Sequence, residues 1–164
     1  MSQKCKNIEN QAKILLKEEP LKAKDQYIKA AECYDKNHKK KEYQKTMKKA
    51  IKILTDHSKT LDPFKAREFI EEAANYYEKI ELKEDSKSVM ISLADKFVDY
   101  AQKIEKSNLN LVNGIKYFLA AEELYLELGE EEKYQNCTVS AYNICVLLGI
   151  TLERIFQFLQ KKAE

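Results

Sequence analysis

AKDQYIKAAECY, residues 23–34, decides the fold because it returns twice further along the chain. The second copy is AREFIEEAANYY at 66–77 and the third is NGIKYFLAAEEL at 113–124. Ala-Ala pairs occur only at 30/31, 73/74 and 120/121, so the copies are offset by 43 and 47 residues. Within each copy the shared positions fall at +4, +7, +8 and +11, which is one face of an α-helix. The face reads Ala23, Tyr27, Ala30, Ala31, Tyr34, then Ala66, Ile70, Ala73, Ala74, Tyr77, then Asn113, Tyr117, Ala120, Ala121, Leu124, with Gly114 as the small residue displaced by one. Small side chains at the centre let a neighbouring helix approach closely, and the flanking Tyr or Leu fills the groove beside it.

Each copy is followed by a second amphipathic stretch. The first holds Tyr43, Met47, Ala50, Ile51 and Leu54; the second Met90, Leu93, Ala94, Phe97, Ala101 and Ile104; the third Tyr134, Cys137, Ala141, Cys145 and Leu148. Three Gly and two Pro in 164 residues leave little turn chemistry for strands. Asp62-Pro63 reads as an N-cap with a first-turn proline, Pro20 opens its helix likewise, and Gly129 and Gly149 stand where helix-ending glycines belong. Asn37-His38 and Glu84-Asp85-Ser86 are read as turns between helices. The pattern predicts helices near 3–18, 20–37, 40–57, 63–81, 85–105, 109–128, 131–148 and 151–162. The expected architecture is a single all-α domain over 1–164: an α-solenoid of about three antiparallel helix pairs (20–57, 63–105, 109–148), preceded by an N-terminal helix. In a solenoid each pair buries its face only against its neighbours, so an end needs a cap. The 151–162 stretch, with Leu152, Ile155, Phe156 and Leu159 on one stripe, is expected to fold back as that cap over AYNICVLLGI at 141–150, which is apolar nearly all round.

The phrase A-x-x-x-Φ-x-x-A-A-x-x-Y resembles the tetratricopeptide-like (TPR) repeat of the soluble NSF attachment proteins (SNAPs), whose helix pairs are longer than the ordinary 34-residue repeat. The resemblance covers most of residues 20–148. It implies a vesicle-trafficking adaptor that lies along a bundle of SNARE helices and recruits a hexameric ATPase. The C-terminal FLQKKAE differs from the acidic, leucine-tipped tail through which such adaptors engage that ATPase.

Catalytic and cofactor chemistry finds no foothold. The three glycines stand alone, which rules out a phosphate cradle or a dinucleotide fingerprint. Two His and four Cys without a C-x-x-C pair give no metal motif. Cys33 with His38 or His57 makes a nucleophile and base on paper, but Cys33 borders the packing face, where a thiol serves as core filler. The expectation is a non-enzymatic protein with no cofactor and no metal. MSQKCKNIEN lacks the apolar core of a signal peptide, and the uncharged run Tyr134–Leu152 carries six Gln, Asn, Ser or Thr residues, too polar for lipid. A cytoplasmic protein with reduced thiols follows.

Charge supplies the candidate site. The formal net charge is +2, yet residues 1–60 carry 16 Lys against 8 Asp and Glu, a net +8, and the remainder carries −6. At 100° per residue Lys41, Lys45, Lys48 and Lys52 fall within about 60° of one another, with Lys49 beside them, opposite the apolar stripe of the same helix. Like charges at this spacing repel by about 0.2–0.5 kcal/mol per pair, so the face forgoes the usual Glu-to-Lys alternation. These five lysines are the candidate partner-binding residues. An acidic helical segment of another protein is the expected partner; an anionic membrane surface or phosphates form the alternative. Nucleic acid is disfavoured because the patch has only lysines, with Arg67 elsewhere, and no interleaved aromatics. Glu122, Glu123, Glu127 and Glu130–Glu132 offer the same stripe a partner on a second copy, giving salt-dependent head-to-tail association. Tyr76, Tyr100 and Tyr125 fall outside the packing faces and are read as half-buried spacers or partner anchors.

Overall fold

The computed structural model describes residues 2–107, 110–151 and 153. These form seven α-helices, with no strand among the described residues. They are α1 (Ser2–Leu15), α2 (Pro20–Lys36), α3 (Lys40–Ser58), α4 (Pro63–Lys79), α5 (Lys83–Ser107), α6 (Leu111–Glu127) and α7 (Glu131–Leu148). Each predicted helix from the first to the seventh is present. The expected capping helix at 151–162 lies outside the described residues apart from Thr151 and Glu153.

The chain divides into two compact units, Met1–Val89 and Met90–Glu164. In the first, α1 packs on α2, α2 on α3 and α3 on α4. The repeat faces are the reason. Ala23, Tyr27, Ala30, Ala31 and Tyr34 are the buried residues of α2, while α4 buries Ala66, Ile70, Ala73 and Ala74. One cluster joins Ala31 and Ala73 to Met47, Ile51 and Leu54, so the alanines of two successive copies close on the apolar stripe of α3. A second cluster seats Ala12 of α1 on Ala23, Tyr27, Ala50 and Ile53. In the second unit α6 packs on α7, and α5 contributes Leu93, Ala94, Phe97 and Ala101 to the core. Gly114 takes the small position of the third copy; a methyl there would stand 3.5 Å from Ile104 and 3.6 Å from Ile144, ordinary contact distances that an alanine would meet.

Helix ends follow the expected chemistry with two differences. Asp62 caps α4 by accepting the Phe64 N–H at 2.9 Å. Gly129 and Gly149 adopt φ of 71° and 63°, but His38 and Glu81 take the same left-handed backbone at 56° and 64°. All four turns share one pattern: the following N–H reaches back to the carbonyl five residues earlier, as in Lys39 to Tyr34, Leu82 to Tyr77, Glu130 to Tyr125 and Ile150 to Cys145. Glu84-Asp85-Ser86, expected as a turn, lies instead in the first turn of α5, where the two carboxylates complement the helix N-terminus. The chain reverses at Ile80–Leu82 instead.

Tyr76 and Tyr100 are half-buried, whereas Tyr125 is a core residue whose hydroxyl donates to Asp95 at 2.5 Å. Cys137 and Cys145 are buried as expected. Cys5 and Cys33 correct the reading of reduced thiols: they are joined in a disulfide across 28 residues of chain. Spacing along the sequence gives no hint of this pairing, which arises because α1 lies against α2. On α7, Val139, Tyr142 and Val146 form an exposed stripe opposite the buried Cys137, Ala141 and Ile144. No helix of the described residues is long and apolar enough to cross a membrane.

Candidate functional site: the lysine face of α3

α3 buries Met47, Ala50, Ile51 and Leu54 between its neighbours, which forces the opposite face of the helix outward. Lys41, Lys45, Lys48 and Lys52 stand exposed on that face, about one turn apart along about 16 Å of helix. With Gln44 and Lys49 they line an open trough of about 510 Å³. Gln44 fixes one edge by donating its side-chain amide to the Ile80 carbonyl at 3.1 Å. None of the four exposed lysines forms an ion pair with a carboxylate of the described residues.

Lys49 is the exception among the five predicted residues. It is half-buried, pairs with Glu9 of α1 at 2.5 Å and lies 5.5 Å from the centre of the Tyr27 ring. Its charge is therefore answered within the molecule, and the free face comprises four lysines rather than five. Glu9 also accepts the Tyr34 hydroxyl at 3.0 Å. Burial alone would raise the Glu9 pKa, but the Lys49 ammonium and the Tyr34 hydroxyl outweigh it and hold the carboxyl below its ordinary value. Burial and the same carboxylate push the Tyr34 phenol up to about 12. Beside this group a pocket of about 280 Å³ is lined by Lys6, Glu9, Asn10, Lys13, Tyr34, Glu42, Lys45 and Thr46. Lys45 borders both spaces, so cationic surface continues from α3 onto α1.

The depressed Glu9 pKa has a testable sign. A carboxyl held below its unfolded value adds stability above the unfolded pKa and loses it as pH falls through the folded one. Glu9→Gln is expected to destabilise the protein by about 1 kcal/mol at pH 7, discounted for the partly exposed Lys49. The gap to wild type should close as pH drops from 5 towards 3, measured by urea unfolding at each pH. A gap that stays constant would mean that Glu9 contributes packing only.

Three other groups are set by their neighbours. Lys24 of α2 is held between Glu72 at 2.9 Å and Asp25 at 3.1 Å; burial would lower its pKa, but these two carboxylates raise it on balance. Burial, with Glu122 and Asp95 nearby, pushes the Cys137 thiol up to about 11, the reverse of an activated nucleophile. Cys33, once paired on paper with His38 or His57, has its sulfur committed to Cys5. Among the described residues no three His, Cys, Asp or Glu side chains are grouped to hold a metal ion. Comparison with protein-family models, with curated proteins and with solved structures finds no match.

Proposed function

We propose that this chain is a non-enzymatic binding scaffold. Its α-helices stack as antiparallel pairs in a short TPR/SNAP-like solenoid, and it captures an acidic helical segment of another protein along Lys41, Lys45, Lys48 and Lys52. The observation that carries the reading is four exposed lysines on one helix face that form no ion pair with a carboxylate of the described residues. A helix bearing Glu at i, i+4 and i+7 presents charge at the same pitch, so two such helices laid side by side match over three turns. The thrice-repeated small-residue face supports the solenoid reading, and the SNAP-like phrase supports an adaptor role in vesicle trafficking. The reading places the protein in the cytoplasm.

An anionic membrane is the second reading, favoured by one observation: the face is entirely lysine. Lysine is a point charge without the fork that arginine offers a carboxylate or phosphate, so it suits a diffuse anionic surface. The two readings part in a binding experiment. Fluorescence anisotropy with a labelled Glu-rich helical peptide is run on wild type and on K41E/K45E/K48E/K52E, beside co-sedimentation with phosphatidylserine and phosphatidylcholine vesicles. The adaptor reading expects salt-dependent peptide binding that weakens at least tenfold in the variant, with no preference for the anionic vesicles. Vesicle binding without peptide binding would transfer the site to the membrane reading, and binding unchanged by the four substitutions would remove both. Light scattering across a salt series reads head-to-tail self-association, which a monomeric mass at low salt would exclude.

A further inference from the structure

The Cys5–Cys33 disulfide ties α1 covalently to α2. α1 has 14 residues, a length at which an isolated helix is marginal in water. Its fully buried side chains are Cys5 itself and Ala12, Ile8 and Leu15 are only half-buried, and Ile14 is 78% exposed. Its remaining anchor is polar, through Glu9 to Tyr34 and Lys49. Beneath it lie Ala23, Tyr27, Ala50 and Ile53, an apolar strip that α1 covers.

We propose that Cys5–Cys33 is a thiol–disulfide exchange site, and that its reduction by a dithiol releases α1 from the α2–α3 strip. The geometry orders the steps. Cys33 is half-buried whereas Cys5 is fully buried, so an incoming thiolate meets the Cys33 sulfur. A new bond forms between the carrier sulfur and Cys33 Sγ, the Cys5–Cys33 bond breaks, and its electron pair leaves with Cys5 Sγ. The Asn37 side-chain amide, 3.7 Å from Cys5 Sγ and fixed by donating to the Cys33 carbonyl at 2.7 Å, faces the departing thiolate. The carrier's second thiolate then attacks its own sulfur in the mixed disulfide. Cys33 leaves as thiolate, both cysteines take up protons, and the dithiol departs as a cyclic disulfide. Two electrons pass from carrier to protein, and a carrier disulfide reverses the exchange. Cys137 and Cys145 take no part, being buried with thiol pKa values that burial raises. In a reducing compartment a disulfide is transient and sensing rather than structural. Release of α1 also removes Glu9 from Lys49, which adds a fifth free charge to the lysine face; that consequence rests on the proposed reading of the face, whereas the exchange itself does not.

Hydrogen exchange on the full chain, with and without dithiothreitol, tests the gate. Amides of residues 2–15 are expected to lose at least tenfold in protection on reduction, while α2 to α4 and residues 90–151 keep theirs. Iodoacetamide should then label Cys5 and Cys33 but not Cys137 or Cys145, and C5A/C33A should exchange like the reduced protein in both buffers. The proposal is overturned if reduced α1 stays protected, if α1 to α4 lose protection together, or if Cys5 and Cys33 are already labelled in the air-oxidised protein.

Discussion

Phe97→Ala is expected to cost about 3–5 kcal/mol, the range for removing a buried aromatic side chain and leaving its cavity. Phe97 is fully buried in α5, with its ring centre 6.1 Å from that of Tyr117 on α6. A replacement methyl leaves the space that the ring filled, and a close-packed interior relaxes into such a space only in part. The measurement is the urea midpoint followed by far-UV circular dichroism. Leu126→Ala serves as the control: Leu126 is 60% exposed on α6, and its loss should change stability by no more than about 0.5 kcal/mol. A cost for Phe97→Ala no larger than that control would show that α5 is not a core helix of the second unit.

The first copy of the repeat was legible because its positions are set by helix geometry alone, whereas the third was placed one residue off at its start: Asn113 is exposed and Tyr117 half-buried, and Gly114 and Phe118 are buried in their stead. Ala23, Tyr27, Ala30, Ala31 and Tyr34 lie on one face at 100° per residue, and all five are buried. The exposed lysines were legible for the complementary reason: once Met47, Ile51 and Leu54 face inward, Lys41, Lys45, Lys48 and Lys52 have no other direction to take. What escaped is long-range. Glu9 lies 40 residues from Lys49, and Cys5 lies 28 from Cys33; both pairings exist only because α1 is laid on α2 and reaches α3, which no local period encodes. The turns escaped for a third reason. Glycine announces a left-handed residue at Gly129 and Gly149, but His38 and Glu81 adopt that backbone because the paired helices require it there, at a local steric cost that the carbonyl-satisfying hydrogen bonds offset.

Enlarging the two alanines that face α3 tests the deepest claim, that the repeated small residues set the distance between helices. Ala31 and Ala73 are both fully buried, one from each of two successive copies, and both belong to the cluster of Met47, Ile51 and Leu54. Interiors are packed to crystal density, so three added heavy atoms at either position must move a helix backbone or force a strained rotamer. Ala31→Leu and Ala73→Leu are each expected to cost about 1–3 kcal/mol by overpacking, despite the larger apolar side chain and the good helix propensity of leucine. The double variant should depart from the sum of the singles, because both alanines press on α3 and a shift that relieves one alters the space left to the other. Glu32→Leu, on the exposed side of α2, adds the same side chain where nothing crowds it and is expected to stay within about 0.5 kcal/mol of wild type. Urea unfolding of the four variants separates the outcomes. If both leucines are tolerated as well as the one at position 32, the alanines are fillers rather than spacers. The offset of 43 residues between their copies would then carry no information about how α2, α3 and α4 approach one another.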